Sequence, residues 1–162
     1  MSYLCYNYYG GIMKIIEITN NERYLREYIK ICKITWGKKC DDIDDYVNKR
    51  IINILNTNNN KIITVLGLID DNSILIGFIS LFKYDGDERF DLTPWYATMY
   101  IKEEYRNKHL SKILNDAILE KAKNLGFKKV YLKSELVNYY EKFGFKYIET
   151  LNNGEKLYYI EL

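Results

Sequence analysis

A helical apolar stripe that starts at Leu110, a short loop after a strand-like segment, constrains the fold more than any other feature. The strand-like segment is WYATMYIK, residues 95–102, and a glycine in NLG, residues 124–126, ends the helix. A second strand-like run at 128–134 and a short helical one at 135–144 come next. The stripe is made by Leu110, Ile113, Leu114, Ala117, Ile118, Ala122 and Leu125. Strands alternating with helices indicate an α/β domain.

Two further helices are predicted before this unit. Residues 13–19, MKIIEIT, form a short apolar run typical of a strand, and Asn20 or Asn21 then offers a side chain that caps a helix. Apolar residues recur at helical spacing over 22–36, and again over 41–55 after an acidic start. We therefore expect one strand and then two helices in this part of the chain.

Two hairpins complete the predicted order. The β-rich runs at 61–70 and 74–84 are joined by a tight polar turn, which predicts an antiparallel pair. The last two runs, at 145–151 and 156–162, flank the glycine-bearing turn NNG and predict a second hairpin. The whole order is one strand, two helices, three strands, a helix, a strand, a helix and two strands.

The composition fits one folded domain. The 162 residues are 48% hydrophobic and 15% aromatic, so the chain buries enough apolar surface to offset the entropy lost on folding. We expect a single domain over 13–162. The segment 1–12, MSYLCYNYYGGI, is rich in tyrosine and has two adjacent glycines, which favours a loose N-terminal extension.

Charge and cysteine content argue against several classes of protein. Lys and Arg number 24 against 22 Asp and Glu, so there is no basic excess for binding nucleic acid. No apolar run approaches the ~20 residues that span a bilayer, so we expect no membrane partner and a cytoplasmic location. Cys5, Cys32, Cys40 and the single histidine, His109, lack metal-ligand spacing, so we expect no metal site.

The loop into the central helix is the candidate for chemistry. In EEYRNKHLSKIL, residues 103–114, the basic Arg106 and Lys108 precede the small Ser111 in the first helical turn. Free N–H groups at a helix start, together with the positive end of the helix dipole, bind anions such as a pyrophosphate. The alternative is that Arg106, Asn107 and Lys108 form an ordinary solvated turn.

The stretch RNKHLS resembles the cofactor loop of the GNAT acetyltransferase superfamily. That loop reads Arg or Gln, two residues, Gly, one residue, then Gly or Ala. Arg106 stands at its leading position, Ser111 at the second small position, and His109 where the family has its first glycine. The segments DLTPWYATMYIKEEYR, at 91–106, and NYYEKFGF, at 138–145, are also similar to the family.

This resemblance implies a fold, because the predicted order of strands and helices from residue 13 onward is the family's order. The implied class is α/β: a GNAT-like acyl-CoA N-acyltransferase fold with a mixed, mostly antiparallel sheet of about seven strands, flanked by about four helices. Acetyl-CoA would be the co-substrate. The implied activity is transfer of an acetyl group from acetyl-CoA to a primary amine by direct attack in a ternary complex.

The resemblance also implies which backbone groups bind acetyl-CoA. Backbone groups of Met99, Tyr100 and Ile101 would pair with the pantetheine arm like an added strand. N–H groups from Asn107 to Lys112 would hold the pyrophosphate. The implied cofactor-binding residues are Met99, Tyr100, Ile101, Arg106, Asn107, Lys108, His109, Leu110, Ser111 and Lys112.

His109 is the departure from the family pattern. Where a loop needs a positive φ, histidine carries a steric cost that glycine avoids, although histidine is enriched among the residues that do adopt it. A protonated imidazole at this position could help to bind phosphates. In a second interpretation His109 is a surface cap with no ligand contact.

Tyr140 is the implied catalytic acid. The family's tyrosine lies four residues before a glycine, and in YYEKFGF this position falls on Tyr140, ahead of Gly144. A phenol with a pKa of about 10 is protonated at neutral pH and can donate a proton to a departing thiolate. Tyr139 or Tyr140 could instead be core packing. An asparagine that many family members carry seven residues earlier is Lys133 here.

The catalytic base and the acceptor are less constrained. Asp91 is the candidate base, and Asp87 and Glu88 could attract a cationic acceptor, although all three could be solvated loop acids and water could take the proton instead. The acceptor would be a small-molecule amine or a peptide amine. The aromatic residues that would suit a cationic amine are Trp36, Phe90, Trp95 and Tyr96.

Alternatives to an active enzyme follow from the same pattern. A catalytically inactive module of the same fold could bind acyl-CoA or a protein partner. An unrelated nucleotide-binding domain is a further alternative, against which the absence of GxxxxGK[ST] and GxGxxG argues. Edge strands at the C-terminal hairpin make a homodimer plausible.

Overall fold

The computed structural model of the protein describes residues 4–8, 11–56 and 61–162. Its strands and helices follow the predicted order closely. The strands are β1 (Leu4–Tyr8), β2 (Gly11–Glu17), β3 (Ile62–Ile69), β4 (Leu75–Phe82), β5 (Trp95–Ile101), β6 (Lys129–Ser134), β7 (Lys146–Thr150) and β8 (Lys156–Glu161). The helices are α1 (Glu22–Trp36), α2 (Ile43–Asn56) and α3 (Leu110–Asn124).

The strands form one mixed sheet, in the order β1-β2-β3-β4-β5-β6-β8-β7. Neighbouring strands pair antiparallel, except that β5 and β6 run parallel. A parallel pair needs a crossover connection, and α3 supplies it. The predicted mixed, mostly antiparallel sheet is therefore confirmed, with eight strands among the described residues.

Helices cover both faces of this sheet. On one face α1 and α2 pack around Phe78 and Trp95, and on the other α3 packs around Ile79 and Tyr96. The buried residues of α3 include Leu110, Leu114, Ala117, Ile118 and Ala122. These five belong to the predicted stripe, so the helical pattern identified the buried face of α3.

Side-chain caps fix the starts of α1 and α2. The Asn21 side chain accepts a hydrogen bond from the Tyr24 amide at 3.4 Å, which satisfies one of the free N–H groups at the start of α1. Asp42 Oδ1 accepts from the Asp45 amide at 2.9 Å in the same way. In the turn between β3 and β4, Asp70 Oδ1 accepts from the Ile74 amide at 2.8 Å.

Two expectations from the sequence need correction. The predicted helix over 135–144 is absent; Glu141–Phe143 form a single 3-10 turn instead, and Asn138 has a φ of 58°, which an α-helix does not tolerate. The structure contains three α-helices among its described residues, one fewer than predicted. Within 1–12, expected to be loose, Leu4–Tyr8 form a strand whose backbone pairs with β2.

Buried tyrosines should make the stability of the fold depend on pH in the alkaline range. Burial raises the pKa of Tyr28 and Tyr96 above its ordinary value, and raises that of Tyr140 to about 12. The unfolded chain loses these protons near pH 10, whereas the folded chain keeps them. The free energy of unfolding should therefore be flat below about pH 9 and fall between pH 10 and 12, by about 1.4 kcal/mol per pH unit for each such tyrosine.

Urea unfolding at pH 8, 9.5, 10.5 and 11 measures this loss. Tyr28→Phe removes one buried phenol and should make the alkaline slope shallower. An unchanged free energy of unfolding from pH 8 to 11 would contradict the burial of these groups.

The described helices are all too short or too polar to traverse a lipid bilayer. Within the described residues, no group of three or more His, Cys, Asp or Glu side chains is arranged as a metal ion would require.

Candidate functional site

A cavity of about 520 Å³ opens where the start of α3 faces the end of β5. We call it the α3 cavity. The residues that line it are Thr35, Trp36, Met99, Tyr100, Ile101, Tyr105, Arg106, Asn107, His109, Leu110, Ser111 and Tyr139. Eight of the ten predicted cofactor-binding residues are among them: Met99, Tyr100, Ile101, Arg106, Asn107, His109, Leu110 and Ser111.

The open edge of β5 forms one wall. Trp95 of β5 pairs with Tyr131 of β6, and no other residues of these two strands pair with each other in the described part of the chain. Beyond Trp95 the two strands therefore diverge, and the β6-facing edge of Met99–Ile101 is left without a strand partner. An extended ligand can use such an edge as an added strand would.

A β-bulge shapes this wall. Phe78 of β4 pairs with Tyr100 and Ser80 pairs with Ala97, so two residues of β5 lie opposite one residue of β4. The first of the two, Thr98, has a φ of 50°, which is rare for a β-branched residue. The bulge turns Thr98 towards α1 and leaves Met99 packed on the α3 side.

Buried hydroxyl groups stabilise the bulge. Ser80 Oγ lies 2.6 Å from Thr98 Oγ1 and donates to the Tyr28 hydroxyl oxygen at 3.0 Å. Backbone strain of this kind persists where surrounding contacts enforce it. The network links α1 to the strand that forms the cavity wall.

The loop before α3 supplies the opposite wall. Asn107 and His109 have φ values of 59° and 56°, both in the left-handed region. The backbone N–H groups from Asn107 to Ser111 have no acceptor in the described part of the chain, whereas the Lys112 amide donates to the His109 carbonyl at 3.1 Å. A curved run of free amides at a helix start binds anions. Among the amides predicted to hold the pyrophosphate, that of Lys112 thus differs, because it already has a partner.

The basic side chains of this loop contribute unequally. Arg106 lines the cavity, and its Nε donates to the Ile101 carbonyl at 2.9 Å. Lys108 Nζ lies 5.4 Å from the centre of the Tyr105 ring, and Lys112 Nζ pairs with Asp116 at 2.5 Å. Neither lysine lines the cavity. The free amides, more than the lysines, therefore define the candidate anion site.

His109 adopts the left-handed conformation that its place in the pattern suggested. It is exposed, lines the cavity and makes no side-chain cap hydrogen bond at the start of α3. An L-residue pays about 1–2 kcal/mol for this conformation, which glycine largely avoids.

His109→Gly should therefore raise the free energy of unfolding by about 0.5–1 kcal/mol, after the greater flexibility of glycine in the unfolded chain is counted. Asn107→Gly is the matched control and should gain less, because asparagine tolerates a positive φ better. Urea unfolding measures both variants. A loss of stability in His109→Gly would show that the imidazole makes a stabilising contact.

Tyr139 and Tyr140 occupy different positions. Tyr139 lines the cavity, and Tyr140 packs in the core beside Tyr96 and Phe145 with ring centres 6.0 and 6.1 Å away. The two adjacent tyrosine rings are 5.0 Å apart. Burial and the neighbouring Tyr139 raise the pKa of Tyr140 to about 12, against a smaller opposite effect of a hydrogen bond with Ser134.

The predicted acids lie apart from the cavity. Both carboxylate oxygens of Asp91 accept hydrogen bonds from Arg89, at 2.9 and 2.8 Å, and these bonds lower the pKa of Asp91. Arg89 also pairs with Glu149. Glu88 accepts from the Asn152 side chain at 3.0 Å. Asp91 does not line the α3 cavity.

Three further differences concern individual side chains. Thr35 and Tyr105 line the cavity but were not predicted there, although Tyr105 directly precedes the cofactor-loop pattern. Lys133, which stands where the family often has asparagine, pairs with Glu155 at 2.8 Å.

Several solved structures that are similar to this one are acetyltransferases. The PaiA N-acetyltransferase of Thermoplasma acidophilum, in complex with coenzyme A, is 22% identical, with a TM-score of 0.61 over 93% of this chain and 99% of that one. An aminoglycoside 6'-N-acetyltransferase in complex with coenzyme A is 16% identical, with a TM-score of 0.66 over 91% and 96%. Mutant forms of the spermidine/spermine N-acetyltransferase SpeG of Vibrio cholerae are 16% identical, with a TM-score of 0.62 over 92% and 94%.

These likenesses establish the fold. The sequence itself matches the model of the acetyltransferase (GNAT) family over residues 22–145, and the chain belongs to this family. It is accordingly an acyl-CoA-dependent N-acyltransferase by class. No curated protein matched the sequence.

Proposed function

We propose that the protein transfers an acetyl group from acetyl-CoA to a primary amine by direct attack within a ternary complex. One observation carries the proposal: the unpaired edge of β5 and the free amides before α3 line the same cavity. Each matches one part of coenzyme A, an extended amide-containing arm and a diphosphate.

The binding of acetyl-CoA would use backbone groups for the most part. The β6-facing edge of Met99–Ile101 offers hydrogen bonds to the pantetheine amides. The N–H groups of Asn107–Ser111 would face the diphosphate, where the positive end of the α3 dipole favours negative charge. The Arg106 side chain lines the same space and adds a positive charge. Coenzyme A in the PaiA and aminoglycoside acetyltransferase structures supports acetyl-CoA as the co-substrate.

The chemical step balances without a covalent enzyme intermediate. The lone pair of the neutral amine attacks the thioester carbonyl carbon, a C–N bond forms and the C–S bond breaks. The thiolate takes a proton and the new amide nitrogen loses one. Tyr140 is the proposed proton donor, because it stands at the position of the family's tyrosine, four residues before Gly144, and a phenol is protonated at neutral pH. Tyr139, which lines the cavity, is the second candidate.

Water is the proposed acceptor of the amine's proton. Asp91 was the candidate base, but its two hydrogen bonds with Arg89 stabilise the carboxylate and lower its pKa, which weakens it as a base. Asp91 also does not line the cavity, which is a second argument against it as the base.

The acceptor class is a small-molecule amine or a peptide amine. The names of two relatives, an aminoglycoside 6'-N-acetyltransferase and a spermidine/spermine N-acetyltransferase, support an amine as acceptor. Both relatives are 16% identical to this chain, so the specific amine is a separate question.

An acceptor screen tests the proposed function. Purified protein is incubated with acetyl-CoA and a panel of amines, amino acids and short peptides, and release of free thiol is followed with mass spectrometry of the products. We expect one thiol released for each N-acetyl product. Calorimetric binding of acetyl-CoA with no turnover on any amine would favour the inactive binding module, and absence of binding would contradict both.

A further inference from the structure

A second pocket lies on the other side of β5, between α1, α2 and the sheet. We call it the α2 pocket; its volume is about 260 Å³. Its wall includes Tyr28, Cys32, Tyr46, Phe82 and Thr98. The cationic side chains of its lining are Lys33, Arg50 and Lys61, and no carboxylate is among the described residues that line it.

These cations are incompletely neutralised. Arg50 has no ion pair or hydrogen bond from its guanidinium within the described part of the chain. Lys33 Nζ lies 4.5 Å from the centre of the Tyr46 ring. Lys61 Nζ has one distant carboxylate, Asp85, at 3.9 Å. Unpaired guanidinium and ammonium groups in a half-buried pocket are arranged to receive an anion.

The electrostatics of Lys61 agree with this arrangement. Burial lowers the pKa of Lys61, Asp85 opposes that effect, and the positive charge of Arg50 lowers the pKa further. Arg50 and Lys61 therefore repel each other, and an anion bound between them would offset that repulsion.

The α2 pocket adjoins the α3 cavity. Trp36 lines both spaces, and the β-bulge places Thr98 on the wall of one and Met99 on the wall of the other. An acceptor held in the α2 pocket would approach the acetyl group past Trp36, from the α1 and α2 side and away from the place of the diphosphate. This step rests on the proposed function.

We propose that the α2 pocket binds an anionic group, a carboxylate or a phosphate, of the acceptor molecule, with Arg50 as its principal ligand and Lys33 and Lys61 beside it. The acceptor is then an amine that also carries a negative charge, such as an amino acid or an aminoalkyl phosphate. Two of the acids that the sequence offered to a cationic amine have partners elsewhere: Glu88 accepts a hydrogen bond from Asn152, and Asp91 pairs with Arg89.

Trp36 provides a direct test of anion binding. Trp36 is exposed and lines the pocket, whereas the other tryptophan, Trp95, is fully buried. Inorganic phosphate and acetate are titrated separately at constant ionic strength, with and without saturating coenzyme A, and tryptophan fluorescence is recorded. We expect a saturable change for at least one of the two anions that persists with coenzyme A bound.

Variants assign this response to the pocket. Arg50→Gln should weaken anion binding by about tenfold or more, and Arg50→Lys, which keeps the charge, should weaken it less. Lys49→Gln is the matched control, because the exposed Lys49 pairs with Asp45 and does not line the pocket. Circular dichroism and thermal melting confirm that each variant is folded. No saturable response in the original protein, or an unchanged one in Arg50→Gln, would overturn the proposal.

Matched acceptors test the same proposal through catalysis. Amino acids are compared with their amides, and aminoalkyl phosphates with the corresponding amino alcohols, for kcat/KM with acetyl-CoA. We expect a preference of about tenfold or more for one charged series, lost in Arg50→Gln. Which series is preferred distinguishes carboxylate from phosphate. Equal use of charged and uncharged acceptors would overturn the proposal but leave the acetyltransferase activity established. Failure to bind acetyl-CoA would instead contradict the proposed function. In that case the anion titration would still show whether the α2 pocket binds an anion.

Discussion

Replacing Tyr140 with phenylalanine should lower kcat by about 100-fold or more and leave the Kd of acetyl-CoA unchanged. Proton transfer by a positioned side chain contributes roughly 10²–10⁴ to a rate, and phenylalanine keeps the ring contacts with Tyr96 and Phe145 while removing the proton. Steady-state kinetics with a productive amine measure kcat, and calorimetry measures the Kd.

Tyr139→Phe is the matched control. Tyr139 lines the cavity, and its ring lies 5.0 Å from the ring of Tyr140. We expect Tyr139→Phe to keep kcat within a few-fold. The reverse result, with turnover lost in Tyr139→Phe and kept in Tyr140→Phe, would transfer the role of proton donor to Tyr139.

Replacing Ser111 with aspartate should weaken acetyl-CoA binding by about 100-fold or more. Ser111 lies in the first turn of α3 and lines the cavity. A carboxylate there would face the diphosphate, and two like charges about 4 Å apart repel by about 4 kcal/mol near a protein surface. The same carboxylate is favourable for the helix itself, because it lies at the positive end of the dipole.

The opposite effects of Ser111→Asp on acetyl-CoA binding and on the helix allow a loss of binding to be distinguished from a loss of folding. The thermal midpoint of Ser111→Asp should be equal to or above that of the original protein, while calorimetry shows the loss of affinity. Ser111→Asn, similar in size and uncharged, should bind acetyl-CoA within about tenfold of the original affinity. Full affinity in Ser111→Asp would place the diphosphate somewhere other than the start of α3.

Local sequence was sufficient for most of the fold. The predicted helix at 22–36 coincides with α1, because Asn21 caps its start and its apolar residues share one face. The hairpin of β3 and β4 was predictable for a similar reason, since two β-rich runs flank a turn that Asp70 closes with its own side chain.

Tertiary contacts determine the parts of the fold that could not be predicted from the sequence. Residues 135–144 have a helical composition, but Tyr140 packs against aromatic residues of the sheet and a positive φ at Asn138 interrupts the segment. The bulge at Thr98 runs against local preference, because a β-branched residue favours a regular strand. It depends on hydroxyl groups from α1 and β4 that lie far away in sequence.

The candidate site was predictable to a similar degree. Free amides at the start of α3 follow from the position of a loop before a helix, so Asn107–Ser111 were accessible to sequence reasoning. The partners of individual side chains could not be predicted from the sequence. Asp91 pairs with Arg89, two residues away, and Arg50 reaches a pocket formed with β3 and β4, contacts that only the folded chain defines.

The central claim is that the amides of Asn107–Ser111 bind the diphosphate of acetyl-CoA. Titration of ¹⁵N-labelled protein with acetyl-CoA, followed by backbone amide NMR, tests it most directly. We expect the largest saturable shifts at these five amides and along Met99–Ile101, with small shifts in β1, β2 and β7. Saturable binding that leaves the amides of Asn107–Ser111 unshifted would contradict the claim.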